Sequence, residues 1–366
     1  MSEHWPVKPL SEIAEVIMGQ APPGSDCNKD GIGSPFVKAG EFGTSRPIIR
    51  EWTTNPKKFA SRDDVLICVV GATCGKLNLG ENCAIGRSVA AIRPNKSELN
   101  QFFLHYFMMQ IVQKMRAAST GAAQTVISKK MIHEIRIPLP PLEEQQHIVS
   151  ILDEALGDIA NSIDNVQSVS NSVKELIETK LQKVFQENSS EWEKIPFEKS
   201  VVRVKATPKI KKRDFKESGT HPIISQEMDY INGYWNNADD LLTIQTPVIV
   251  FGDHSKTLKY IDFDFVRGAD GLKVLQPIES ILPKFFYHQL RSVKLETLGY
   301  ARHYRLLKQT EIRVPTMELQ HQIASMFDDL DEKVSQMNGL YERELQSFEE
   351  LKQSILHEAF YGKLTG

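Results

Sequence analysis

Lys209-Ile-Lys-Lys-Arg213 places four cations in five residues, and other groups suited to binding follow it. Asn232, Tyr234, Trp235 and Asn236 lie in Ile231–Asn237, which reads as a turn. His254 and Lys256 lie in Gly252–Lys256, and Arg302, His303, Tyr304 and Arg305 close the run that starts at Tyr300. These side chains recognise rather than make or break bonds. Arg and Lys complement phosphates and guanine edges, Asn and Gln complement adenine edges, and aromatic rings stack on bases. A more scattered set (Lys38, Arg46, Lys57, Lys58, Lys76 and Gln124) occupies the first third of the chain. For any one of these residues a solvated loop is the competing reading; the clustering carries the inference.

Bond-making chemistry is not legible. Gly71-Ala-Thr-Cys-Gly75-Lys76 has three residues between its glycines where a nucleotide loop has four. Leu77 stands where a magnesium-binding hydroxyl belongs, so a glycine turn between two strands is the expectation. Asn55-Pro-Lys-Lys-Phe59 lacks the second proline of the amino-methyltransferase signature. His133, His147 and His321 are isolated, and no catalytic dyad accompanies them. Cys27, Cys68, Cys74 and Cys83 all fall in the first third, which favours reduced thiols over a disulfide framework. A zinc site is the alternative, but no C-x2-C pair supports it. The chain is therefore expected to hold no metal, no cofactor and no active site of its own.

The elements that position these loops are duplicated. Glu134-Ile-Arg-Ile-Pro138 leads into Pro141-Leu-Glu-Glu-Gln-Gln-His-Ile148, and Glu311-Ile-Arg-Val-Pro315 leads into Glu318-Leu-Gln-His-Gln-Ile323. Ile148, Ser150 and Asp153 recur at Ile323, Ser325 and Asp328 at a constant offset of 175. Trp5 to Leu10 aligns with Trp192 to Phe197, and Leu99 to His105 with Leu282 to His288. The apolar run Val65–Gly71 has its counterpart in Pro247–Gly252. A period near half the chain means two copies of one module. Short apolar runs between Gly, Asn and Asp read as strands, and Leu99–Arg116 and Leu282–Val293 as amphipathic helices.

After each copy comes a seven-residue apolar repeat. Leu152, Ile159, Val166 and Val173 form one track, and Leu156, Ile163, Ser170, Ile177 and Val184 the other, with Ser170 its polar member. In the last segment the tracks are Phe327, Val334, Tyr341, Phe348 and Ile355, and Leu330, Met337, Glu344 and Leu351, with Glu344 the polar member. This is coiled-coil spacing, and each segment opens with acidic residues after proline, which favours helix initiation. Two such helices of about 45 residues, roughly 65–70 Å at 1.5 Å per residue, can bury each other's stripe, and connectivity makes them antiparallel. Unrelated surface helices, or helices that dimerise the chain, are the alternatives.

The net charge of −3 divides accordingly. Residues 1–137 carry +5, 138–193 carry −8, 194–313 carry +6 and 314–366 carry −6. Basic globular units on an acidic scaffold suit a polyanionic partner. No apolar run approaches the roughly 20 residues of a membrane span, and a cytoplasmic protein is expected.

With Pro138-Leu-Pro-Pro-Leu-Glu-Glu-Gln145, its echo at Glu318-Leu-Gln320, Gly252-Asp-His254 and Gly268-Ala-Asp-Gly271, the chain resembles the specificity subunits of type I restriction–modification systems over its whole length. The second copy departs from the opening motif, with Thr316-Met317 for Pro-Leu and Leu319-Gln320 for Glu-Gln. The resemblance implies an α+β fold: two mixed α/β target-recognition domains (1–140 and 189–315) joined by two long antiparallel coiled-coil helices (141–188 and 316–366), with pseudo-twofold internal symmetry. It implies a non-catalytic subunit that reads a bipartite double-stranded DNA target. Two methyltransferase subunits and motor-nuclease (restriction) subunits would be its partners and would carry S-adenosylmethionine, ATP and magnesium. Competing expectations are a coiled-coil adaptor without DNA specificity, a methylation-only complex, and an enzyme with its own nucleotide or methyl-donor site.

Overall fold

The computed structural model describes residues 5–118, 126–187, 191–205, 207–269, 271–296 and 302–361. The chain divides into two compact units, Met1–Asn165 with Arg343–Gly366, and Val166–Glu342.

In the first unit the apolar run Val65–Cys68 is buried throughout, because a strand without polar alternation needs cover on both faces. It lies between Val89–Pro94 and Leu77–Leu79, and Ala14–Met18 completes an antiparallel four-stranded sheet. Val65 and Ile67 face Phe103, Leu104 and Phe107 of the helix Gln101–Ala118. Leu66 and Cys68 face a second core with Val37 and Ile85, residues of a mixed five-stranded sheet. The turn Gly71–Lys76 joins two antiparallel strands, as its glycines predict: Gly71 and Gly75 take φ of 85° and 87°, and its amides bond inward to Gly71, Cys68 and Thr73 carbonyls.

The second unit repeats this plan. Val201–Val202, Leu272–Pro277, Val248–Gly252 and Leu258–Ile261 form a four-stranded sheet in the same order. Ile249 and Phe251 pack on Phe285 and Phe286 of the helix Pro283–Ser292, while Val248 and Val250 join Ile224, Leu242 and Phe265. Each unit also ties its first strand to the strand before its long helix, Val7–Pro9 to Arg136–Pro138 and Glu193–Pro196 to Glu311–Val314. The two short helices begin one or two residues later than the sequence suggests. Asn100 caps the first by accepting from the Phe102 and Phe103 amides (2.8 and 3.2 Å), and Pro283 opens the second.

The long helices are Leu142–Gln182, extended by a π turn over Lys183–Glu187, and Met317–Phe360. The first passes unbroken through residues 161–172, a stretch rich in serine and asparagine, which are weak helix formers. The first unit holds the N-terminal part of the first helix beside the C-terminal part of the second, and the second unit holds the C-terminal part of the first beside the N-terminal part of the second. In the first unit Leu152 and Leu156 pack with Ile355, Leu356 and Phe360, and Ile159 is buried. In the second, Val173, Ile177 and Val184 join Phe327, Leu330 and Val334. Ile163, Val166, Met337, Tyr341 and Phe348 are half-buried. Leu351 corrects the heptad reading: it is 47% exposed, and Leu356 is fully buried instead. A helix of 3.6 residues per turn drifts about 20° per heptad from a 3.5-residue repeat, and over this length the stripe walks off the predicted track. Among the described residues no helix is long and apolar enough to cross a membrane.

Candidate nucleic-acid interface

Two clusters read separately in the sequence come together in the second unit. Asp253, itself 2% exposed, accepts at Oδ1 from the Tyr304 amide (2.8 Å). Its carbonyl accepts from the His303 amide and from His303 Nδ1 (2.8 and 3.1 Å), and its own amide donates to the Gly271 carbonyl (2.8 Å). The Gly252–Lys256 turn and the segment at 302–305 are thereby one structure. His303 is 1% exposed and serves as its internal peg, while Arg302 and Arg305 stay exposed on either side. Lys256 holds a φ of 60°, which a tight turn imposes. The His254 amide donates to Gln226 Oε1 (3.2 Å), and the buried His254 Nδ1 has no hydrogen-bond partner in the structure.

The Ile231–Asn237 segment differs from the expected turn. Gly233–Trp235 is a strand paired antiparallel with His221–Ile224, Trp235 opposite His221. Its polar side chains are committed to holding it. Asn232 donates to the Asp229 carbonyl (2.9 Å) and accepts from the Ser225 amide (2.7 Å) and Lys259 Nζ (3.0 Å). Trp235 Nε1 donates to Asp240 (2.8 Å), and Asn236 Oδ1 accepts from the Thr220 amide (3.0 Å). Tyr234 is half-buried. The loop tip beyond this clamp carries Met228, 83% exposed, and Tyr230, 49% exposed. Lys259, 4% exposed, also donates to the Asp229 carbonyl, and burial pushes its ammonium down to about 8. Sequence reasoning missed Lys259; a lysine within the alternating strand Leu258–Ile261 was its signal.

In the Lys209–Arg213 cluster, Lys212 pairs with Glu227 (2.7 Å) and Arg213 approaches Asp214 (3.7 Å). Lys211 is exposed, and Lys209 lies opposite Arg267 in a parallel strand pair. In the first unit, Lys76 Nζ donates to the Phe42 carbonyl (2.7 Å), Arg46 to the Arg62 (3.1 Å) and Gly80 carbonyls, and Lys57 to Asn55 (2.8 Å). Lys38 pairs with Glu51, which raises its ammonium, and Lys58 is exposed. Gln124 lies outside the described residues. Cys68, Cys74 and Cys83 are buried in the first unit, and burial raises the Cys83 thiol to about 12. Among the described residues no group of three or more His, Cys, Asp or Glu is placed to hold a metal.

The recurring glutamine of the duplicated motif has a geometric role. Gln145 Oε1 accepts from the Asn100 amide (2.8 Å), and its Nε2 donates to the Glu98 and Pro140 carbonyls (both 2.8 Å). Gln320 accepts from the Leu282 amide (2.8 Å) and donates to the Ser280 and Pro315 carbonyls (2.9 and 3.1 Å). Both are essentially fully buried. Each glutamine joins the start of a long helix to the N-cap of the short helix in its unit.

The profile of the type I restriction modification DNA specificity domain matches residues 2–167 and 189–343. A putative type I restriction enzyme MjaX specificity subunit of Methanocaldococcus jannaschii is 36% identical over 186 residues, covering 50% of this chain and 42% of the relative. The MjaVIII specificity subunit of the same organism is 22% identical across 99% of this chain and 93% of its own. A chain from a type I R-M system, solved in a study of complex assembly and conformational transition, superposes with a TM-score of 0.78 at 16% identity, covering 99% of this chain and 98% of that one. The HsdS subunit from Thermoanaerobacter tengcongensis gives 0.51 at 16% identity, with 99% and 97% covered. At these identities the superpositions speak to fold. The duplicated sheets, the glutamine joints and the two profile matches agree, and the chain belongs to the type I restriction modification DNA specificity domain family.

Proposed function

We propose that this chain is the DNA target-recognition subunit of a type I restriction–modification complex. Residues 1–140 and 189–315 act as target-recognition domains, each reading one half of a split duplex sequence. Residues 141–188 and 316–366 act as the spacer that sets the gap between halves. Two methyltransferase subunits bind around this scaffold, motor-nuclease subunits join them, and S-adenosylmethionine, ATP and magnesium act on those partners. The observation that carries the reading is one sheet order built twice, bearing different polar loops. One scaffold with two surfaces is what two unlike half-sites require. In the first unit Lys38, Arg46, Lys57, Lys58, Lys76 and Gln124 remain the candidates for its half-site. In the second, the surface centred on Asn232–Asn236, His254, Lys256 and Arg302–Arg305 meets the bases, with Asn232 and His303 shaping the loops that do so.

The test is a map of methylated bases in cells that express this chain with its methyltransferase partner. Exchanging residues 192–310 for the equivalent unit of a relative should change one half-site and leave the other intact. A change in both halves refutes independent reading. A purified chain that retains no duplex refutes DNA recognition and leaves an assembly adaptor.

A further inference from the structure

The second unit contains a cleft of about 590 Å³ that none of the loop motifs announced. Its walls carry Arg203, Lys209, Arg267, Lys273 and Lys308 against one carboxylate, Glu198. Glu198 is already matched by Lys308 at 2.7 Å, so the remaining charge of the cleft is strongly positive. Val204 and Leu275 supply apolar wall between the cations.

The fold builds this charge in. The strand Lys209–Ile210 runs parallel to Phe265–Gly268, which sets Lys209 beside Arg267. Both strands are short, and Phe265 and Val266 next to Arg267 are wholly buried. Arg267 is half-buried, and its Nε has no hydrogen-bond partner in the structure. Burying guanidinium atoms without a partner costs free energy, so a partner from outside has something to recover. Across the cleft, Lys273 Nζ stands 5.2 Å from the centre of the Tyr304 ring and 3.8 Å from Asp253, which links the wall to the Gly252–Lys256 turn. The volume is in the range of small-ligand sites, enough for a phosphodiester with its flanking sugars.

We propose that this cleft holds a backbone phosphate of the duplex read by the second unit, with Arg203 and Arg267 as its principal ligands; this rests on the DNA-recognition reading above. Phosphate contacts fix register and carry no sequence information. The cleft therefore anchors the duplex while the neighbouring loops read it.

The experiment compares the full chain with an Arg203→Gln/Arg267→Gln double variant and with Val202→Glu. Val202 is 42% exposed at the cleft wall, so the glutamate adds a negative charge at a partly solvated position whose backbone pairing with Gln276 is unchanged. Duplex binding is followed by fluorescence anisotropy across a salt series, with thermal melting to confirm folding. Each lost phosphate contact lowers the slope of log K against log salt by roughly 0.9, so the double variant, which removes both ligands of one phosphate, should lose about 0.9 in slope. Val202→Glu should weaken binding about tenfold at low salt. The methylated sequence should be the same for all three proteins. A folded double variant with the wild-type slope, or a Val202→Glu protein with wild-type affinity, overturns the cleft assignment while DNA recognition stands. A wild-type chain that binds no duplex overturns the recognition reading itself. Inorganic phosphate that binds the wild type but not the double variant, and at constant ionic strength leaves bound DNA in place, makes the cleft a small-anion site and overturns the assignment to DNA.

Discussion

Gln145 and Gln320 are single residues on which two elements depend. Replacing either by alanine strands an amide and two carbonyls that the side chain now satisfies, each buried group costing about 1–3 kcal/mol when left unmade. Gln145→Ala and Gln320→Ala should each cost on the order of 2–4 kcal/mol. Hydrogen exchange should place the loss in the first unit for Gln145 and in the second for Gln320. Uniform loss across both units would contradict the local joint. His105 offers a second residue-scale test. Burial holds its imidazole down at about 4, and its buried Nδ1 lacks a partner. The unfolded chain takes up that proton near pH 6.5, before the folded one does. Stability should therefore fall as pH drops from about 6.5 towards about 4. His105→Gln should gain about 2 kcal/mol on wild type between pH 7 and pH 4.5, read by chemical denaturation; a pH-independent difference would sink the account. Its counterpart His288 is also pushed down by burial, but its Nε2 lies 2.9 Å from Asp328, which opposes that shift.

At the scale of elements, the last helix finishes the core of the unit that opens the chain. Phe360 meets Phe103 and Phe107 edge-on, with ring centres 5.1 and 5.2 Å apart. Phe360→Ala should cost about 3–5 kcal/mol, as for other buried aromatic truncations. The loss should appear as faster amide exchange in Val65–Cys68 and leave Val248–Gly252 protected. Faster exchange in both strands, or in neither, would argue against the division of the cores. Phe185, at the end of the first long helix, plays the corresponding part in the second unit: it meets Phe285 edge-on at 5.3 Å and stacks on Phe327 at 5.8 Å.

For the whole molecule, the proposed ruler makes a geometric demand. Seven residues inserted between Val166 and Val173, with seven more near Tyr341, preserve the apolar phase and add roughly 10 Å of helix, about three base-pair rises. The methylation map should show the same half-sites with a longer gap, within what duplex twist and bending allow. An active complex with the original gap would rule out the spacer role. An insertion of two residues should instead damage folding or assembly, because it rotates the rest of the buried stripe by about 200° to the outer face.

The duplication, the two long helices and the split between basic units and acidic connectors are properties of residue type and spacing, so the sequence alone determined them. A period of 175 and an apolar repeat of seven need no tertiary information to be seen. The fate of each polar side chain was different, because burial and hydrogen-bond partners come from distant parts of the chain. His303 is held by Asp253, 50 residues away, Lys259 by Asp229, 30 away, and Gln145 by Asn100, 45 away. Loops that looked uniformly ready for bases thus divide into pegs and presented groups only after folding. Leu351 and Leu356 exchange places for a related reason: a heptad fixes the approximate face of a helix, while the packing surface it meets decides which residue at the drifting end goes inside. The Arg267 cleft was out of reach of the sequence altogether, since its cations come from separate strands and turns that converge only when the four- and five-stranded sheets of the unit form.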